Sequence, residues 1–226
     1  MLAHVPSALG KADVLRLRHA LAGASWEDGA SSAGASKSAK RSSQLAPDSD
    51  LSRQLGAAVI SALLSSPTFV SAAIPLRIFP PLFERYEVGD RYDPHVDNAV
   101  RGDALTGARI RVDLAATLLL TESAEYEGGE LIVEDVFGSR RFKPQAGDIV
   151  IFSAGSLNMV TPVTRGERLA SFVWLQSMIK SDEARDLVCD LDAAIRDLSP
   201  RVDGDDADLR KLTTVYHNLI RFWGEA

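Results

Sequence analysis

The sequence predicts a mainly β fold, a sandwich or barrel of short strands, with helices packed at both ends of the chain. Three observations carry that prediction. From position 69 to about position 178, short apolar or alternating runs are separated by Gly, Pro and Asp, the texture of strands and turns. Before and after that stretch, apolar residues recur every three to four positions, which is the helix period. The chain has 226 residues, 46% apolar and 25% charged, enough for one sizeable core and far from a disordered or collagen-like composition.

Val14, Leu17 and Leu21 fall at helical spacing in Lys11 to Ala22, and Gly23 ends that helix. Asp28 to Ser43, rich in Gly, Ala, Ser and Lys, reads as a flexible loop, with a weak edge strand as the alternative. Asp50 is placed to cap a second helix, in which Leu51, Leu55, Val59 and Leu63 follow at four-residue intervals and which ends near Ser65 to Pro67. The expected strands are Phe69–Ile74, Arg77–Tyr86, Arg109–Leu120, Gly129–Val133, Arg140–Lys143, Asp148–Phe152 and Arg168–Met178. In Arg109–Leu120, alternation puts Ile110 through Leu120 at even positions on one face and Arg111, Asp113 and Thr117 on the other, a half-buried sheet. Phe137-Gly138-Ser139 reads as a hairpin turn, and Gln145 to Asp148 as a turn into the next strand. After Ser181 two helical stripes follow, Leu187/Leu191/Ala194/Leu198 and Leu209/Leu212/Tyr216/Leu219/Trp223. The Asp203 to Asp208 acidic cluster between them is read as favouring a positive helix end. Three segments are expected: 1–68 packing on the core, 69–179 as the β core, and 180–226 as a helical tail.

With 25 Lys+Arg against 31 Asp+Glu the formal charge is -6, which argues against non-specific binding to nucleic acid or an anionic membrane. One cysteine, Cys189, excludes an intramolecular disulfide and a multi-thiolate zinc site. It falls among Leu187, Val188 and Leu191, as an inert packed thiol would. No secretory leader is read at the start, and the apolar stretches are shorter than a membrane span, so the expected address is cytoplasmic. Four histidines, His4, His19, His95 and His217, restrict any metal site to one that is poor in histidine or assisted by carboxylates.

His95 and Asp97 lie two residues apart, so in an extended segment the imidazole and the carboxylate converge and can hold a divalent ion. The bland alternative is a surface histidine beside a capping aspartate. Some sixty residues later comes Ser156-Leu-Asn-Met-Val-Thr-Pro-Val-Thr-Arg-Gly-Glu-Arg168, at the start of an apolar strand. Arg111 and Asp113 read as a cross-strand ion pair, Thr117 as pocket or packing, and Trp26, Trp174 and Trp223 as packing.

Taken together, these motifs resemble the PKHD-type hydroxylases, a branch of the iron(II)/2-oxoglutarate dioxygenases. The likeness extends to Pro80-Pro-Leu-Phe83 with Arg85-Tyr86, Arg111 to Leu118, Tyr126-Glu-Gly-Gly-Glu-Leu131, Gly147-Asp148 and the closing Tyr216 to Trp223, so it covers nearly the whole chain. It implies a double-stranded β-helix, or jelly roll, with N-terminal helices and a small C-terminal helical segment. It also implies Fe(2+) held by His95 and Asp97, the distal carboxylate of 2-oxoglutarate gripped by Arg168 with Tyr86 adding a hydroxyl, and ascorbate as reductant. The implied reaction hydroxylates an unidentified small molecule or peptide, releasing succinate and CO2, in a protein that is a candidate homo-oligomer. The family is also associated with bacterial iron uptake. Where the family's distal histidine is expected, this chain has Asn158, an amide that is a poor donor to Fe(II) beside an imidazole. Weakened iron binding is therefore expected. The competing reading is a non-catalytic jelly roll that binds a metal or an oxo acid.

Overall fold

The computed structural model describes residues 1–102, 107, 109–135 and 138–225. The helices are α1 (Lys11–Ala22), α2 (Asp50–Leu64), α3 (Pro67–Ala73), α4 (Asp182–Leu198) and α5 (Ala207–Trp223). The strands are β1 (Leu2–Val5), β2 (Trp26–Asp28), β3 (Lys40–Arg41), β4 (Ser43–Leu45), β5 (Pro75–Ile78), β6 (Leu82–Tyr86), β7 (Arg91–His95), β8 (Val100–Gly102) and β9 (Arg109–Arg111). They continue with β10 (Leu114–Leu119), β11 (Glu127–Gly128), β12 (Leu131–Asp135), β13 (Gly138–Phe142), β14 (Ile149–Ser153), β15 (Asn158–Val160), β16 (Val163–Arg165) and β17 (Arg168–Ser177).

Two antiparallel sheets face each other in a jelly roll. The large one runs β1-β14-β10-β17-β6-β4-β2, with β5 pairing beyond β6 on the long strand β17, and the small one runs β13-β12-β15-β7-β3. The outer face of the large sheet, with Phe83, Leu114, Ala116, Leu118, Ile149, Ile151, Val173 and Leu175, packs against Val14, Leu17 and Leu21 of α1, Val59 and Leu63 of α2, and Phe69 of α3. Its inner face meets the small sheet through Leu82, Ala115, Val150, Phe152 and Trp174 against Leu131 and Val133. The chain's site residues are carried in that space between the sheets.

The segment 1–68 does more than lay helices on the core: β1, β2 and β4 extend the large sheet and β3 the small one. β1 pairs with β14 from Leu2 opposite Phe152 to Val5 opposite Ile149, a pairing its short mixed sequence does not announce. Asp28 to Ser43 is largely two 3-10 turns, with β3 and β4 near its end. The cap of α2 is Ser49, whose side chain accepts from the Ser52 amide, and Asp50 is the first helical residue. Phe69–Ile74, expected as a strand, is helix: Ser66 caps it, Pro67 opens it, and Ile74 closes it in the left-handed region at φ 42. The β preference of Phe69 and Val70 yields to burial of Phe69 in the core, worth about 2 kcal/mol.

Pro80 and Pro81 split the expected strand 77–86 into β5 and β6. The expected strand 109–120 breaks at Val112-Asp113, so Ile110 and Val112 join the inner cluster while Leu114, Ala116 and Leu118 join the outer one. Every residue of β10 is buried, because helices cover one face and the second sheet the other; the sheet is not half exposed there. Gly138 and Ser139 already belong to β13, so the hairpin turn does not include them, and Phe137 lies outside the described residues. At the C-terminus, α4 and α5 pack on Ile74 and Ile179 through Ala184, Val188, Tyr216, Leu219 and Trp223. Asp206 caps α5, accepting from the amides of Asp208 and Leu209, as the acidic cluster's helix-end role requires. Among the described residues no single helix is long and apolar enough to cross a membrane.

Candidate active site

Strand register brings His95 and Asn158 together. β7 and β15 pair antiparallel with His95 directly opposite Asn158, and β15 pairs on its other side with β12. The His95 ring stacks on Tyr92 at 3.5 Å between centroids and 13° between planes. Its Nδ1 lies 3.0 Å from the Asp93 carbonyl oxygen. A carbonyl can only accept, so Nδ1 carries the proton and Nε2 is left with its lone pair, the form a metal needs. Burial holds the imidazole's pKa below its ordinary value, more strongly than the nearby Asp97 raises it.

Asp97 ties the two sheets together. Its Oδ1 accepts from Trp174 Nε1 of β17 at 2.8 Å, and its Oδ2 from Asn158 Nδ2 of β15 at 3.4 Å. The Asn158 amide nitrogen also faces the carbonyl oxygens of His95 at 3.3 Å and Ser156 at 3.4 Å. Three acceptors around one atom assign it as the donor end. Asn158 therefore presents N–H groups, not a lone pair, to the place between His95 and Asp97. Among the described residues no three His, Cys, Asp or Glu side chains cluster tightly enough to hold a metal ion.

The other end of the site is cationic. Arg168 opens β17 opposite Tyr86 of β6; it is 1% exposed and its guanidinium carbon lies 5.2 Å from the Tyr86 ring centroid. Its Nε and Nη1 make no hydrogen bond of good geometry, nor do Thr117 Oγ1 and the Tyr126 hydroxyl, which lies close enough to Arg168 to feel its charge; all are buried. A buried guanidinium without a carboxylate is costly, and N–H groups left without a partner are available to an anion. Gly129, at φ +60, gives Arg168 its room: a Cβ there would lie 3.0 Å from Arg168 Cδ. Tyr86 makes a different contact from the one the motif implied, donating its hydroxyl to Glu84 Oε2 at 2.7 Å. Burial first, then the Glu84 charge, raises the Tyr86 pKa well above its ordinary value.

His95, Asp97 and Asn158 line a cleft together with Lys40, Glu84 and Trp174, and Arg168 is buried behind it, next to Tyr86, whose hydroxyl reaches Glu84. Arg101 borders the cleft with its guanidinium carbon 3.8 Å from the Trp174 ring centroid and 5.1 Å from that of Phe79. Sequence reasoning missed Lys40, Glu84, Arg101 and the hydroxyl of Tyr126. Glu84 carried a readable signal, since it stands two residues from Tyr86 and shares its face; Lys40 carried none, in a segment read as loop. Trp174, read as packing, orients a carboxylate. Arg111 and Asp113 do pair, at 2.7 and 3.0 Å, but between the end of β9 and the break that follows it, not across two paired strands.

A jelly roll with such a cleft between its sheets is the architecture of iron(II)/2-oxoglutarate oxygenases, and residues 81–176 match the 2OG-Fe(II) oxygenase superfamily. Residues 182–225 match the PKHD-type hydroxylase C-terminal domain. The chain belongs to the PKHD-type hydroxylases: one from Burkholderia cenocepacia (strain HI2424) and one from Burkholderia orbicola (strain MC0-3) are each 48% identical to it over 227 residues, covering 100% of both chains. Among solved structures, a Pseudomonas putida prolyl-4-hydroxylase is similar with a TM-score of 0.53 and 20% identity, over 78% of this chain and 92% of that one. A prolyl hydroxylase from Trichoplax adhaerens, in complex with a hypoxia inducible factor peptide fragment, reaches 0.56 at 14% identity, over 83% and 86%. HygX from Streptomyces hygroscopicus, with nickel, 2-oxoglutarate and hygromycin B bound, reaches 0.52 at 14% identity, over 79% and 84%. At such identities these structures show the shared fold.

Proposed function

We propose that this chain hydroxylates a substrate C–H bond with Fe(2+) and 2-oxoglutarate, that His95 and Asp97 are its protein ligands to iron, and that Arg168 holds the distal carboxylate of the co-substrate. The observation that carries this reading is the buried Arg168 with two unpartnered N–H groups, on the same inner sheet face as Trp174, which holds Asp97. The residues fit the co-substrate's carboxylate fully and the metal in part. When bound, the ion would activate dioxygen, the oxidant of the reaction, one oxygen atom going into succinate as the 2-oxo acid loses CO2 and the other into the substrate C–H bond as its hydroxyl. The chain's own residues do the positioning. The Asp93 carbonyl keeps the His95 proton on Nδ1, Trp174 fixes one Asp97 oxygen, and the two sheets exclude water from the Arg168 pair. Ascorbate is the proposed reductant, and the substrate class stays open between small molecule and peptide.

Asn158 favours a second reading, a jelly roll that binds the oxo acid through Arg168 with slow or no turnover, because its amide donates toward Asp97 where a third ligand belongs. The test is calorimetric titration of 2-oxoglutarate into the ferrous protein under anaerobic conditions, with succinate release measured separately in air-saturated buffer. Arg168→Ala is expected to weaken 2-oxoglutarate binding by on the order of 100-fold with iron content unchanged. Loss of iron with an unaltered response to 2-oxoglutarate would overturn the assignment, and binding without succinate release selects the second reading.

A further inference from the structure

The cleft contains a carboxylate of its own. Glu84, in the middle of β6, has a side chain 2% exposed and forms an ion pair with Lys40 of β3, whose side chain is equally buried. Ser42 Oγ donates to Glu84 Oε2 at 3.3 Å and the Tyr86 hydroxyl to the same oxygen at 2.7 Å. Lys40 Nζ also reaches Ser32 Oγ at 3.1 Å and lies 5.3 Å from the Tyr92 ring centroid. Tyr92 in turn carries the stacked His95 ring, and Tyr86 lies under Arg168. Glu84 thus sits between the proposed metal ligands and the proposed carboxylate anchor, on the inner face of the large sheet.

An ammonium and a phenol O–H converging in a buried cleft are donors suited to a carboxylate. Both are already used by Glu84, while the adjoining guanidinium is left without a partner. We propose that Glu84 is an internal competitor that sets the affinity of this site for 2-oxoglutarate: it engages the Lys40 ammonium and the Tyr86 hydroxyl, and it places a buried negative charge near a dicarboxylate held at Arg168. This deepens the reading above and rests on it. A dicarboxylate held at Arg168 meets Glu84 nearby and finds the Lys40 ammonium and the Tyr86 hydroxyl already engaged, so the wild-type chain requires a higher 2-oxoglutarate concentration than Arg168 alone would demand.

The test is anaerobic calorimetric titration of 2-oxoglutarate into wild type, Glu84→Gln, the double variant Lys40→Met/Glu84→Gln, and Arg168→Ala, each with and without ferrous ion. Glu84→Gln keeps an acceptor for the Tyr86 hydroxyl while removing the charge, and is expected to bind on the order of ten-fold more tightly than wild type. Because that variant leaves Lys40 buried without its counter-ion, the double variant, which carries neither charge, provides a folded reference. It is expected to lie between wild type and Glu84→Gln, having lost the competitor and the ammonium together. Unchanged or weaker binding in both Glu84 variants, with Arg168→Ala still weakened, overturns the role given to Glu84 alone. Wild-type binding in Arg168→Ala overturns the underlying reading, and this one with it. Loss of iron in Glu84→Gln with unaltered 2-oxoglutarate binding would make Glu84 a ligand and likewise overturn the proposal.

Discussion

Replacing Asn158 by histidine is the most direct perturbation of the proposed metal site. Asn158 stands opposite His95 in a paired register, and facing residues of an antiparallel pair have Cα atoms about 4.5–5.5 Å apart. Two imidazoles so placed can converge on one ion at about 2.1 Å from each nitrogen. What the replacement removes is small. The three contacts of the Asn158 amide are 3.3 to 3.4 Å long, at the weak end of the range, and their loss costs about 1 kcal/mol. The larger ring adds a packing cost of roughly 1 kcal/mol. The replacement also frees Asp97 Oδ2 from its N–H donor while leaving Oδ1 on Trp174. Restoring a ligand should tighten Fe(II) binding by on the order of 10–100-fold or more, about 1.4–2.7 kcal/mol, since even supporting hydrogen bonds around a metal matter that much. The assay is anaerobic Fe(II) titration of wild type, Asn158→His and Asn158→Ala, followed by measurement of succinate release from each after air and 2-oxoglutarate are admitted. Equal iron affinity and equal succinate release in wild type and Asn158→His would refute the reasoning. A loss of affinity in Asn158→Ala would show that the amide oxygen is a ligand after all.

Two further expectations concern the co-substrate end. Gly129→Ala forces a Cβ at φ +60 to within 3.0 Å of both Arg168 Cδ and Val163 Cγ2, so it should cost roughly 1–2 kcal/mol in thermal unfolding and raise the 2-oxoglutarate requirement several-fold. Iron content should be unaffected, and equal loss of both would show general damage. The Tyr86 hydroxyl keeps its proton in the folded state well above the value of 10.0 that a free tyrosine shows. The unfolded chain ionises first, so the stability from this group is intact below about pH 10 and is lost as pH rises beyond it, at up to about 1.4 kcal/mol per pH unit. Melting curves across that range should fall less steeply for Tyr86→Phe, and parallel curves would contradict the assignment.

Local periodicity made much of the fold legible, and register made the rest. α1 appears with the expected limits because Val14, Leu17 and Leu21 supply its one buried stripe and Gly23 its end. β14 and β17 stood out because strands buried on both faces read as long apolar runs. β1 and β3 are too short to signal themselves and exist because an edge of an existing sheet accepts them. α3 was read as a strand because Thr68, Phe69 and Val70 favour strands, while Ser66 and Pro67, a cap and a first-turn proline, pointed to helix. Motifs single out His95, Asp97, Asn158 and Arg168, and the structure brings the first three into contact. The Lys40–Glu84 pair was invisible to any local pattern, since it joins residues 44 positions apart from different sheets.

Trp174 gives the cleft a spectroscopic reporter. Its indole N–H rests on Asp97 and its ring lies beneath the Arg101 guanidinium, so a cation at Asp97 or an anion near Arg101 changes the field across the chromophore. The other two tryptophans lie elsewhere, Trp26 under Arg85 and Trp223 among the C-terminal helices. Replacing those two by phenylalanine leaves a single tryptophan, beside Asp97, whose selectively excited emission would report ion entry and co-substrate entry in one unlabelled protein.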